Sequence, residues 1–156
     1  MITLVSEKLR DSFGEIRLEI IFQNKTTRVS CIRRVSDNEV LSFHIVLFSE
    51  AGIERLGPAH EKIVAGGLLG EVIKESGVSY TRTVSDKSFV DMDAGLASLF
   101  ATVGGRCTTE RIEYQVREVP YATIYEFYNP KYTPVAELSS PLDKVVRALM
   151  QKHLVK

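Results

Sequence analysis

The stretch "EIRLEIIFQNKTTRVSCIRRVSDNEVLSFHIVLF", Glu15 to Phe48, decides the fold. It holds three runs rich in β-branched and aromatic residues: Glu15–Gln23, Thr26–Val35 and Val40–Phe48. Such runs, bounded by small polar clusters, read as strands. "QNK" (Gln23–Lys25) and "SDNE" (Ser36–Glu39) supply the turns. Parallel neighbours need a long crossover, whereas antiparallel ones need only a tight turn. The chain therefore opens with an antiparallel meander.

Working outward, Pro58 suits the first turn of a helix. "HEKIVAGGLLGEVIKESG" places Ile63, Val64, Leu68, Leu69, Val72 and Ile73 near helical spacing, interrupted by Gly66 and Gly67. Two short helices are expected here, the second running from about Leu68 to Gly77. "VSYTRTV" (Val78–Val84) reads as a strand, and "DAGLASLF" (Asp93–Phe100) as a short helix capped by Asp93. Two strands follow, "TERIEYQVR" and "YATIYEFYN", joined through Glu118–Pro120. "SPLDKVVRALMQKHLVK" reads as an amphipathic helix with Ser140 as cap, Pro141 at its first position, and a stripe of Leu142, Val145, Val146, Leu149 and His153. That stripe could pack on the sheet or on a second copy of the chain, giving a homo-oligomer. The order of elements predicts an α+β fold: a single, mainly antiparallel sheet covered by helices. No βαβ alternation is present, so a dinucleotide site is not expected.

At 156 residues the chain suits one domain, spanning 1–156. Charged residues make up 26% and the formal net charge is zero, which argues against a nucleic-acid partner. No apolar run reaches the length of a membrane span, and "MITLVSEKLRDSFGE" is too polar for a signal peptide. A cytoplasmic protein is expected, with Cys31 and Cys107 reduced. His44, His60 and His153 are scattered, so no metal site is expected.

The glycine cluster "AGGLLG" (Ala65–Gly70) lacks the Lys-Ser/Thr of a phosphate loop and reads as a turn between helices. The arginines carry more information. By strand alternation Arg28, Ser30, Ile32 and Arg34 share one face, and Val29, Cys31, Arg33 and Val35 the other. Arg82 stands in a further strand. Guanidinium groups facing inward would bind the carboxylate of a small molecule through a planar fork. In "TIYEFYNP" (Thr123–Pro130), Glu126 shares a face with Ala122, Ile124 and Tyr128, while Thr123, Tyr125 and Phe127 share the other. Neither face is plainly the wet one. No serine, cysteine or histidine constellation for nucleophilic catalysis can be read.

Taken together, these pieces resemble the chorismate pyruvate-lyase family over roughly residues 16 to 130. "RVSCIRRVSDNEVLSFHIVLF" is similar to the family's strand–turn–strand with an arginine on the first strand. "GGLLGEVIKESGVSYTR" is similar to its helix start followed by a strand bearing Thr-Arg. "DAGLASLFATVGGRCTTERIEYQVREVPYATIYEFYNP" resembles its closing hairpin with a glutamate in an aromatic-rich strand ending in Pro. Leu68 stands where the family has proline, and His44 or Ile45 stands near the position of a second family arginine.

The resemblance implies a ligand buried beneath helical flaps on a single antiparallel sheet. It also implies cofactor-independent conversion of chorismate to 4-hydroxybenzoate and pyruvate, or action on a similar cyclic acid. The early carboxylate-binding arginine falls on Arg28 or, next in preference, Arg34, with Arg82 assisting. Leu69 falls on the leucine of the helix start and would belong to an apolar lid. Glu126 falls on the family glutamate, near the oxygen that becomes the product hydroxyl. Desolvation among Ile124, Tyr125 and Phe127 is expected to raise its pKa, so that it could act as an acid. The competing implication is a non-catalytic binder of small acids. Effector domains of some bacterial transcription regulators share this fold behind a separate DNA-binding domain.

Overall fold

A computed structural model describes residues 4–133. Among the described residues eleven elements follow one another: α1 (Val5–Phe13), β1 (Ile16–Gln23), β2 (Thr27–Arg34), β3 (Val40–Phe48), α2 (Glu50–Leu56), α3 (Ala59–Val64), α4 (Leu69–Ser76), β4 (Tyr80–Asp91), α5 (Ala94–Leu99), β5 (Arg106–Val116) and β6 (Val119–Tyr128). The six strands form one sheet in the order β1-β2-β3-β6-β5-β4, and every neighbouring pair is antiparallel. The predicted α+β class and single antiparallel sheet are therefore what the chain adopts. The amphipathic tail from Ser140 lies outside the described residues.

The opening meander forms where its turn chemistry puts it. Asn24 Oδ1 accepts the backbone N–H groups of Thr26 and Thr27, at 3.0 and 2.8 Å, and so closes the first turn. Asn38, at φ 63°, supplies the left-handed residue of the second. The β5–β6 hairpin turns on Arg117 and Glu118, both left-handed at φ 50° and 68°. Two such residues in succession are the signature of a mirror-image two-residue turn, here made without glycine or asparagine.

Three elements depart from the sequence reading. Helix α1 was not expected, although Val5, Leu9 and Phe13 recur every fourth residue. They pack with Ile16, Ile32 and Leu41 over the β1–β3 end of the sheet. Helix α2 was also not expected. Ser49 caps it, accepting the Gly52 N–H at 3.2 Å. Gly52 lets α2 approach the start of β6 so closely that a Cβ there would sit 2.4 Å from the Pro120 carbonyl oxygen. Strand β4 continues to Asp91, well past the predicted Val84, and pairs with β5 as far as Arg106. It is an edge strand, and "SDKS" (Ser85–Ser88) carries the polar composition such edges use.

The two faces of the sheet bury different cores. Helix α5, capped by Asp93 through the Leu96 N–H at 2.8 Å, packs Leu96 and Phe100 on one face. Beneath it lie Val29, Phe43, Ile45, Tyr125, Phe127 and the two cysteines, both free. Helices α2, α3 and α4 cover the other face with Leu56, Ile63, Leu69 and Ile73, against Val46, Ile112, Tyr114 and Ile124. Among the described residues no helix is long and apolar enough to cross a membrane.

Candidate functional site

The register of the strands arranges the helix-covered face in rows. One row runs Ser30–His44–Glu126–Glu110 across β2, β3, β6 and β5. The next runs Arg28–Val46–Ile124–Ile112–Val84. Arg28 and Glu126 are thus two strands and one row apart, a Cα separation of about 12 Å from strand spacing and rise. Long side chains can close most of that gap around a small ligand.

Between these rows and the helices lies a chamber. Arg28, Ile32, His44, Val46, Ile124 and Glu126 form its floor, and Leu18, Arg82 and Tyr114 its sides. Its roof is Leu4, Val5 and Ser6 at the start of α1, with Leu68, Leu69 and Gly70 at the start of α4. About 50 Å³ is open to the centres of water-sized molecules, room for a few waters. A ring-sized ligand requires the roof to lift. Gly70 is built into that roof: a Cβ there would meet the Tyr114 hydroxyl at 2.8 Å and a Leu4 methyl at 2.9 Å.

Arg28 is 3% exposed. Its Nη1 donates to the carbonyls of Ile63 at 2.9 Å and Gly67 at 3.2 Å, which ties the floor to the α3–α4 turn. This gives the glycine cluster a structural role, since Gly66 turns with φ 113° just before that carbonyl. Arg28 Nε is buried without a protein acceptor among the described residues. Burial pushes the Arg28 pKa down to about 10, so the group stays charged near neutrality.

Glu126 is 6% exposed, and its Oε2 accepts the Tyr128 hydroxyl at 2.5 Å. Burial outweighs that hydrogen bond and the Arg82 charge, and raises its pKa to about 7. The expected shift is present, but its surroundings differ from the sequence reading. Tyr125 and Phe127 point into the opposite core, while Ile124, His44 and Tyr128 share the Glu126 face. His44 bonds Ser42 Oγ through Nε2 at 2.8 Å. Burial, followed by the Arg28 charge, lowers its pKa to about 3 and keeps it neutral.

The chamber gathers Arg28, Arg82, Leu69 and Glu126. Arg34 does not join them. It shares the Arg28 face, but at the far end of β2 it forks onto Asp37, with Nη2 at 2.6 Å, and lies over the Tyr132 ring at 4.9 Å. The Asp37 carboxylate satisfies that guanidinium outside the chamber, so Arg34 leaves the candidate set. Residues that the sequence reading did not assign to the site are Tyr128, Tyr114, His44 and the Leu4–Ser6 segment of α1. Tyr128 was legible in principle, lying two residues from Glu126 on the same strand face. The α1 contribution depends on tertiary docking. Among the described residues no cluster of three His, Cys, Asp or Glu is placed to hold a metal.

No family model matches the chain, and no curated protein matches it in sequence. Solved structures do match in fold. PhnF from Mycobacterium smegmatis aligns with a TM-score of 0.67 at 11% identity, covering 90% of this chain and 69% of that one. A GntR-family transcriptional regulator from Bacillus cereus aligns with a TM-score of 0.58 at 7% identity, covering 81% and 99%. The ligand-binding domain of a Bordetella bronchiseptica protein assigned to the GntR regulators aligns with a TM-score of 0.54 at 10% identity, covering 82% and 91%. At these identities the likeness is one of architecture.

Proposed function

We propose that this chain is a sensing domain that binds a small cyclic carboxylic acid in the chamber beneath α1 and α4, without transforming it. Arg28 carries this reading. A buried guanidinium in the wall of the chamber, with an Nε–H that no protein acceptor takes among the described residues, can receive one carboxylate. The fold agrees with that role, since its structural neighbours include the ligand-binding domain of an assigned regulator. His44 stands near the place of the second arginine of the resembled lyases, and burial keeps it neutral. The floor therefore offers one fully buried cation. A second carboxylate, as in chorismate, would have to rely on Arg82 at the side of the chamber, which is less buried than Arg28.

The lyase reading has its own support in Glu126, whose pKa of about 7 leaves it partly protonated at neutral pH. Such a group could protonate a departing ether oxygen. One experiment decides between the two. The purified chain is incubated with chorismate while pyruvate is followed, and 4-hydroxybenzoate binding is measured by calorimetry. The sensing reading expects no pyruvate above the spontaneous rate, with binding that weakens at least tenfold in Arg28→Met. Enzymatic pyruvate release that disappears in Glu126→Gln would establish the lyase.

A further inference from the structure

A second hollow opens on the other side of Val5 and Arg82, between α1 and the β4–β5 edge. It is the larger of the two, with about 350 Å³ open to water-sized molecules. Arg82 belongs to the walls of both hollows, and Lys8 and Lys87 complete a basic rim. Lys8 projects from α1 with its charge felt at Glu126, and Lys87 projects from β4. The one carboxylate in this wall, Glu110, is already engaged. Lys87 Nζ lies 3.5 Å from its Oε1, and the Tyr128 hydroxyl lies 3.5 Å from its Oε2. Among the described residues, Lys8 and Arg82 form no ion pair with a carboxylate. Two cations without a direct ion-pair partner among the described residues therefore line one concave space, together with Ser12. Concave walls concentrate the field of such charges and draw anions to them.

We propose that this outer hollow is an oxyanion-binding subsite, taking a phosphate or carboxylate group between Lys8 and Arg82. It adjoins the Arg28 chamber, sharing Val5 and Arg82 with it, and has Lys8 and Lys87 to itself. Where a ligand occupies both, Val5 and Arg82 are the partition it crosses, and its second anionic group lies outside.

The test is a titration of the full chain with inorganic phosphate and, separately, acetate, at constant ionic strength, read by amide NMR. Phosphate is expected to give saturable shifts at Lys8, Ser12 and Thr108. The double variant Lys8→Met/Lys87→Met, altered only at exposed side chains, should weaken binding at least fivefold. Arg28→Met should leave it within about twofold. Acetate binding as well as phosphate would make the subsite a carboxylate site, and acetate binding far more weakly would make it a phosphate site. No saturable shift at the hollow, or binding indifferent to the double variant, would overturn the proposal. So would binding abolished by Arg28→Met, because the anion would then sit in the inner chamber. Loss of acid binding to that chamber alone would leave this subsite standing.

Discussion

Replacing Glu126 with glutamine should change how the stability of the protein depends on pH. The carboxyl is buried, and its pKa rises from 4.5 to about 7 on folding. An acid whose folded pKa is raised contributes fully below its unfolded pKa, and that contribution is lost as pH climbs through the folded value. Wild-type stability should therefore fall between about pH 4.5 and 7 through this group. At 1.36 kcal/mol per pH unit the loss is ~3 kcal/mol. Glutamine keeps the shape, and its amide oxygen can still accept the Tyr128 hydroxyl, but it never ionises. The other titrating groups are common to both proteins, so the difference between them isolates position 126. Urea unfolding at pH 5, 6, 7 and 8 should show the two proteins close together at pH 5. By pH 8 the variant should be more stable by ~3 kcal/mol. Parallel curves across that range would refute a buried, desolvated carboxyl.

Two glycines separate roof from scaffold. Gly70→Ala meets only the ends of the Tyr114 and Leu4 side chains, which can move, so its fold should survive with a cost of about 1 kcal/mol while acid binding falls sharply. Gly52→Ala drives a methyl into the backbone at Pro120 and Tyr121, both 2.4 Å away, and should cost ~3 kcal/mol or more by thermal melting. Cys31 and Cys107 are buried, with pKa values pushed up to about 11 and 12 by desolvation. A thiol reagent at pH 8 should therefore label neither until the protein unfolds, and rapid native labelling would contradict the core described here. Arg28→Met should weaken binding of the cognate acid by ~2–3 kcal/mol in calorimetry, the usual worth of a hydrogen bond to a charged group.

The sheet was largely legible because its signals are local. Turn residues at Asn24 and Asn38, and alternating β-branched runs, specify the meander without knowledge of what covers it. Helix α2 was hidden for a physical reason: it is seven residues long, and Gly52 reads as a breaker until the close contact with β6 is known. The far half of β4 was hidden because the exposed polar run Ser85–Lys87 interrupts the strand pattern before the buried Ser88 and Val90. At the site, alternation correctly placed Arg28 and Glu126 on single faces but could not say which faces turn toward each other. That choice is made by the antiparallel register, which sets His44 opposite both Ser30 and Glu126. Arg34 shares the Arg28 alternation, and only the position of Asp37 in the turn shows why it stays outside. Of the roof, the α4 half with Leu69 was legible, whereas the α1 half was not, since α1 meets α4 only after folding.

The central claim is that a carboxylate docks on Arg28 inside the chamber, and the side chain can report this directly. Nitrogen-15 spectra of the arginine Nε–H groups should be recorded while the chain is titrated with 4-hydroxybenzoate and then with its methyl ester. The account predicts that the Arg28 Nε–H, buried and without a protein acceptor, shifts downfield and becomes protected from exchange with the acid, but not with the ester. Saturable binding of the acid that leaves this signal unmoved would contradict it.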